Sequence, residues 1–143
     1  MIKFYDMSEI TKTVSDVTRH DVDNIMKQNN FIYDTKDFED RFKRFTGANY
    51  CVGVSSGTSA LHLALDAIGI RKGDQVATVS HTFRATVAAI KYVGAKPVYV
   101  DIEPHSFCMD PLLLKNTLDD NPNIKAVIAV HLYGNSADIE KIA

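Results

Sequence analysis

The residues best suited to do chemistry are Ser55-Ser56-Gly57-Thr58-Ser59, four hydroxyls around one glycine, set between an apolar run and a helical pattern. The first N–H groups of a helix have no partner inside it, and the helix dipole favours negative charge at that end. Gly57 lets the backbone turn tightly and leaves its N–H open, while Ser56, Thr58 and Ser59 offer hydroxyl donors. That chemistry suits a phosphate monoester. The same residues also suit a hydroxyl-capped helix that binds nothing, since small hydroxyl caps are common.

A second chemistry is written in overlapping letters. Gly53-Val54-Ser55-Ser56-Gly57 matches G-x-S-x-G, the turn that carries the nucleophile of α/β-hydrolases, and Asp101 and His131 follow in the order Ser, Asp, His. Against a hydrolase stand the early position of the turn, the lack of a preceding oxyanion-hole loop and the short chain. A dinucleotide site finds no support, because neither GxGxxG nor GxxxxGK[ST] occurs. His20, His62, His81, His105 and His131 are scattered without metal-ligand spacing, so no metal is expected. Phe83 follows an apolar run and could stack on a flat ring, or serve as ordinary core. His62 can pair with Asp66 at i+4, and Cys51 reads as packing within an apolar run.

These residues need elements to position them. Val14, Val17, Val22, Ile25 and Met26 give one apolar face to a helix over roughly Ser15 to Gln28. Phe38, Phe42 and Phe45, at i, i+4 and i+7, stripe a second helix, with Asp34 or Thr35 as its cap and Gly47 as its end. From Tyr50 the pattern alternates. Strands are expected at Tyr50 to Val54, Gln75 to Val79, Pro97 to Val100 and Ile124 to Val130. Helices are expected at Gly57 to Ile68, Thr82 to Val93, Asp110 to Leu118 and Ala137 to Ala143. The fold class is therefore α/β, a three-layer α/β/α arrangement with a mostly parallel sheet. Ligands in such sheets sit beyond the carboxyl ends of the strands. Those ends carry Ser55 to Thr58, Ser80 to Phe83, Asp101 and His131 to Gly134.

The 143 residues suffice for one core, with 45% hydrophobic and 24% charged side chains and a net charge of −2. Without a basic surplus or stripe, a nucleic-acid partner is not expected. The longest uncharged stretch, Phe45 to Leu65, is too polar to span a membrane, and the N-terminus lacks a signal-peptide core. Two cysteines, Cys51 and Cys108, in no CxxC spacing, fit a reducing cytoplasm.

From Phe38 onward the chain resembles the DegT/DnrJ/EryC1/StrS family of PLP-dependent aminotransferases, which amino-modify nucleotide-linked sugars. The resemblance rests on Phe38-Glu39 with Phe45-Thr46-Gly47, on the run Val54 to Leu65, and on Ala67 to Ile70 with Gly73-Asp74. It continues in Ser80-His81-Thr82-Phe83 with Ala85-Thr86, in Gly94-Ala95, in Pro97 to Asp101 and in Val130 to Gly134. Val79 stands where the family usually has Pro, a change in local stiffness rather than in chemistry.

The resemblance implies that Gly57, Thr58 and Ser59 hold the phosphate of pyridoxal 5'-phosphate and that the aromatic at Phe83 stacks on its pyridine ring. It implies the type I transferase fold, with 1–48 as an N-terminal helical segment and 49–143 as an incomplete PLP-binding large domain. It further implies a homodimer with a nucleotide-sugar substrate and an amino-acid donor, usually glutamate. In that family the Schiff-base Lys and the Asp that faces the pyridine nitrogen match positions beyond Ala143. No catalytic residue is therefore assigned, and the chain is expected to be the N-terminal part of such an enzyme, inactive alone. The alternatives are a PLP-dependent sugar dehydratase of the same family and a non-catalytic subunit or remnant.

Overall fold

The structure is a computed structural model, and it describes residues 6–29 and 35–143. The chain divides into two compact units, Met1–Gly53 and Val54–Ala143.

In the first unit, helix α1 runs Ser8–Gln28 and ends on Asn29 in a left-handed conformation, whose N–H reaches the Met26 carbonyl. It begins seven residues before the expected Ser15, and none of its residues is buried. Helix α2, Lys36–Thr46, carries the expected phenylalanine stripe, with Phe38 and Phe42 stacked at 5.7 Å between ring centres. Gly47 closes it at φ 72°. Thr35 stands at the cap position, but its side chain makes no cap hydrogen bond; its hydroxyl instead donates to the Glu39 carboxylate at 2.7 Å. Asp34, the other expected cap, lies outside the described residues.

The same Glu39 oxygen accepts the Gly53 N–H at 2.7 Å. A Cβ at Gly53 would lie 3.0 Å from Thr35 Cγ2, so the close approach excludes any other residue there without a shift. This overturns the expected strand over Tyr50 to Val54. Its Cys51, Val52 and Val54 have strand propensity, but the segment forms no ladder, and the Gly53 N–H donates to a carboxylate. Cys51 is partly exposed rather than packed away.

The second unit contains α3 (Gly57–Ala67), β1 (Gln75–Val79), α4 (Ala85–Tyr92), β2 (Lys96–Val100), α5 (Pro111–Asp120), β3 (Ile124–Val127) and α6 (Ile139–Ile142). The three strands form a parallel sheet in the order β2-β1-β3. One face packs Val76, Ala126 and Ile128 against Leu61 and Leu65 of α3 and Ala89 and Ile90 of α4. The other packs Ala77, Val79 and Val100 against Leu114 of α5, with Ile142 of α6 alongside. Helices therefore cover both faces, which is the expected three-layer α/β/α arrangement. Each fully buried Val, Ile, Leu or Met contributes about 1.5–3 kcal/mol of hydrophobic stabilisation.

The order 2-1-3 has a directional consequence. The chain leaves β1 through α4 on one face to reach β2, then crosses through α5 on the other face to reach β3. Strand order reverses at the β1/β3 boundary, the switch point at which doubly wound sheets hold their ligands. A register shift between Gln75 and Val76 sets β3 against β1, and the buried Thr78 hydroxyl donates to the Ile128 carbonyl at 3.0 Å just beyond the strand.

Candidate functional site

Ser56 is the N-cap of α3. Extended at φ −165°, it lets its Oγ accept the Ser59 N–H at 3.1 Å. The Ser59 hydroxyl bonds to Ser56 Oγ at 2.9 Å and Ser55 Oγ at 3.0 Å. The hydroxyls expected to act as ligand donors are thus partly spent on each other. Among the described residues, the N–H groups of Gly57 and Thr58 have no partner. A Cβ at Gly57 would meet nothing within 4 Å, so the space outside this turn is open. Of the three residues expected to hold an anion, Gly57 and Thr58 present free amides and Ser59 secures the cap.

Phe83 is reached by a different route. After β1 the chain turns sharply, Thr82 N–H donating to the Ser80 carbonyl and Thr86 N–H to the Phe83 carbonyl. Helix α4 begins at Ala85, three residues later than the expected Thr82, because this turn precedes it. Phe83 is left 68% exposed, so it is not a core residue. It lines a cleft of about 390 Å³ together with Thr58, Arg84, Ala85, Ala88 and Tyr92. Thr58 and Phe83, 25 positions apart in sequence, share this cleft, and it suits an anion joined to a flat ring. Arg84 is the residue that sequence reasoning missed. Its side chain lines the same cleft, and among the described residues it bonds to no acceptor. The signal was present in Phe83-Arg84, a cation directly beside an aromatic at a strand end.

Other expected pairings dissolve. His62 packs edge-on against Tyr92 rather than pairing with Asp66, which instead takes Arg71 at 2.8 Å. The hydrolase geometry fails at its histidine. His131 Nδ1 accepts the Ala137 N–H at 2.9 Å, so the proton sits on Nε2. A Ser-His-Asp relay needs the opposite tautomer, with Nδ1–H donated to the acid. Asp101 accepts the N–H of its own neighbour, Ile102.

Residues 12–143 match the DegT/DnrJ/EryC1/StrS aminotransferase family. The chain belongs to this family. One relative is the UDP-2-acetamido-2-deoxy-3-oxo-D-glucuronate aminotransferase of Pseudomonas aeruginosa, 36% identical over 99% of this chain and 40% of the relative. Another is the dTDP-3-amino-3,4,6-trideoxy-alpha-D-glucose transaminase of Micromonospora megalomicea, 41% identical over 73% of this chain and 27% of the relative. Among solved structures, S. venezuelae DesV superposes with TM-score 0.91 at 31% identity, over 99% of this chain and 38% of that one. Bacillus subtilis NtdA, solved with bound cofactor PMP, gives 0.89 at 29% identity, over 99% and 33%. The chain thus spans about two fifths or less of the length of these family members.

Proposed function

We propose that this chain supplies the phosphate-holding and ring-stacking half of a pyridoxal 5'-phosphate site. The whole enzyme would move an amino group from an amino acid, glutamate by our reading, to a keto sugar carried on a nucleotide. The observation that carries the reading is the cleft shared by Thr58 and Phe83, with open amides at Gly57 and Thr58. Family membership and the sugar aminotransferase relatives support it.

Bound there, the cofactor would supply an electron sink at the amino carbon. The residues of this chain bind and orient. The Gly57 and Thr58 amides and the α3 dipole would hold the phosphate, Ser56 and Ser59 fix the turn, and Phe83 would stack on the ring and exclude water there. Arg84 adds positive charge. In this reading the amine and the group facing the pyridine nitrogen come from outside the cleft, whose lining holds neither a lysine nor a carboxylate, and the chain alone would turn over no substrate. In this reading, 49–143 is an incomplete cofactor domain, 1–48 a helical segment ahead of it, and the working enzyme a cytoplasmic homodimer.

Titration of the chain with pyridoxal 5'-phosphate, followed by absorbance and fluorescence, tests the reading. Saturable binding that inorganic phosphate competes away and that Phe83→Ala weakens is expected. Absence of binding, or binding indifferent to both Phe83→Ala and phosphate, overturns it.

A further inference from the structure

Beyond the cofactor cleft, three aromatic rings from three separate loops meet at the carboxyl rim of the sheet. His81 follows β1, Phe107 lies in the loop after β2, and Tyr133 follows β3. The Tyr133 ring stands edge-on to both His81 and Phe107, each at 5.8 Å, and its hydroxyl lies 3.3 Å from His81 Nε2.

The backbone is bent to achieve this. Leu132 and Asn135 exchange both backbone hydrogen bonds around a two-residue turn, with Tyr133 at φ 54° and Gly134 at φ 84°. Two positive φ values mark a type I′ turn, whose first position favours Asn, Asp or Gly. A bulky aromatic there is an outlier. Phe107 is a second one, at φ 59°. Its loop is braced by Glu103, which accepts the Ser106 N–H at 2.7 Å, and by Asn135, whose side chain donates to the Ser106 carbonyl. Strained aromatics usually earn their place in a core. These do not: Tyr133 is 72% exposed and Phe107 42%. Strain held at an exposed position points to function rather than packing.

The location adds an independent argument. His81 lies in the segment that follows β1 and Tyr133 in the segment that follows β3, the two strands that flank the switch point. His81 is also two residues from Phe83, so this one ring of the three and the proposed stacking residue follow the same strand, β1.

We propose that Tyr133, held by His81 and Phe107, is a specificity-determining residue that stacks against a ring of the nucleotide-sugar substrate. The inference rests on the function proposed above. An exposed aromatic face with a hydroxyl at its edge fits the apolar face of a pyranose bearing hydroxyls, and equally a nucleobase. Both are ring stacking, and the test separates them.

The 143-residue chain is titrated with UDP-N-acetylglucosamine, with N-acetylglucosamine 1-phosphate and with UDP, while the His81 and Tyr133 ring protons are followed by NMR. Pyridoxal 5'-phosphate is titrated separately. Tyr133→Asn suits the turn and removes the ring; Tyr133→Phe keeps the ring. Tyr133→Asn should weaken UDP-N-acetylglucosamine about tenfold, the scale of one lost ring stack. Its affinity for pyridoxal 5'-phosphate and its melting temperature should not fall, and Tyr133→Phe should retain most sugar-nucleotide affinity. Shifts with the sugar phosphate assign the platform to the hexose; shifts with UDP alone assign it to the base. The proposal is overturned if no sugar nucleotide or component perturbs the rings. It is also overturned if Tyr133→Asn binds like the parent, or if the rings respond only to pyridoxal 5'-phosphate. Failure of cofactor binding with intact sugar-nucleotide shifts would sink the function proposed above and leave this platform standing.

Discussion

Ser56 Oγ accepts the Ser59 N–H at 3.1 Å, and this bond decides which amides at the start of α3 remain open to a ligand. By satisfying the third amide internally, the cap holds the turn in shape and leaves the amides of Gly57 and Thr58 unpartnered. Ser56→Ala should therefore cost about 1 kcal/mol of stability, and Ser56→Gly only a few tenths, measured by urea denaturation. Equal losses from both would show that the hydroxyl contributes no cap.

Gly57 and Gly94 should respond oppositely to alanine. At Gly57 a Cβ meets nothing, and φ is not positive, so Gly57→Ala should change stability by less than about 0.5 kcal/mol. It should nevertheless weaken pyridoxal 5'-phosphate, because the new methyl occupies the space in front of the turn. Gly94 sits at φ 77°, and a Cβ there would lie 3.1 Å from Lys72 Cβ and 3.2 Å from its Cα. Gly94→Ala should destabilise by at least about 1 kcal/mol, from the left-handed conformation alone. A Gly57→Ala variant that melts early but binds normally would reverse the assignment.

Arg84→Ala should weaken pyridoxal 5'-phosphate by about tenfold, the scale of one charge-assisted hydrogen bond. The loss should shrink as salt is raised, because the guanidinium is exposed and its field is screened. Isothermal titration at low and high salt reads both effects; an affinity unchanged at low salt removes Arg84 from the site.

Asp74 gives stability an acid-side dependence. Its side chain is 14% exposed and takes Lys125, while also accepting the Arg71 N–H at 2.8 Å. The Lys125 hydrogen bond first, and the Arg71 N–H second, hold its carboxyl below the ordinary value of 3.8. The unfolded chain binds the proton more readily, so this contribution is complete above the ordinary carboxylate range. It is lost as pH falls through the lowered folded value. Asp74→Asn should be less stable than the parent at pH 7, with the difference closing toward pH 3. Melting curves across that range settle it, and a gap that stays constant with pH would contradict the pairing.

Thr78→Val removes the donor to the Ile128 carbonyl without changing shape much. The expected cost is about 1–2 kcal/mol, since a hydroxyl partner buried beside the sheet is lost. Thr78→Ser, which keeps the donor, should recover part of it by denaturant titration.

Much of the second unit was legible because periodicity and punctuation agree there. Gln75 to Val79 forms a strand with the expected bounds, and Asp110 caps α5 through its carboxylate with Pro111 following. The segment from Tyr50 to Val54 was misread because propensity records what a side chain tolerates, not whether a neighbouring strand exists to pair with. Nothing local announces that Glu39, 14 residues back, takes the Gly53 N–H. Thr58 and Phe83 were legible one by one, as a cap-adjacent hydroxyl and a rim aromatic. Arg84 drew no reading, although its place directly after Phe83 was the available signal. The ring cluster was hidden for a related reason. His81, Phe107 and Tyr133 each sit in an ordinary loop, and only the pairing of β3 beside β1 brings the first and last within 3.3 Å.

The order β2-β1-β3 also sets an order in time. Gln75 of β1 meets Lys96 of β2 across a short α-helical crossover, whereas the Thr78 bond to Ile128 closes a separation of 50 residues. Chain entropy makes the nearer closure the earlier one, although the penalty grows only slowly with length. The β1-α4-β2 unit is therefore expected to form first, with β3 docking onto it afterwards. Substitutions at Ile90 should slow refolding, while those at Ile128 should chiefly speed unfolding. The crevice at the β1/β3 boundary, and with it the Tyr133 contact to His81, should then form after the β1-α4-β2 pairing within the second unit and open before it.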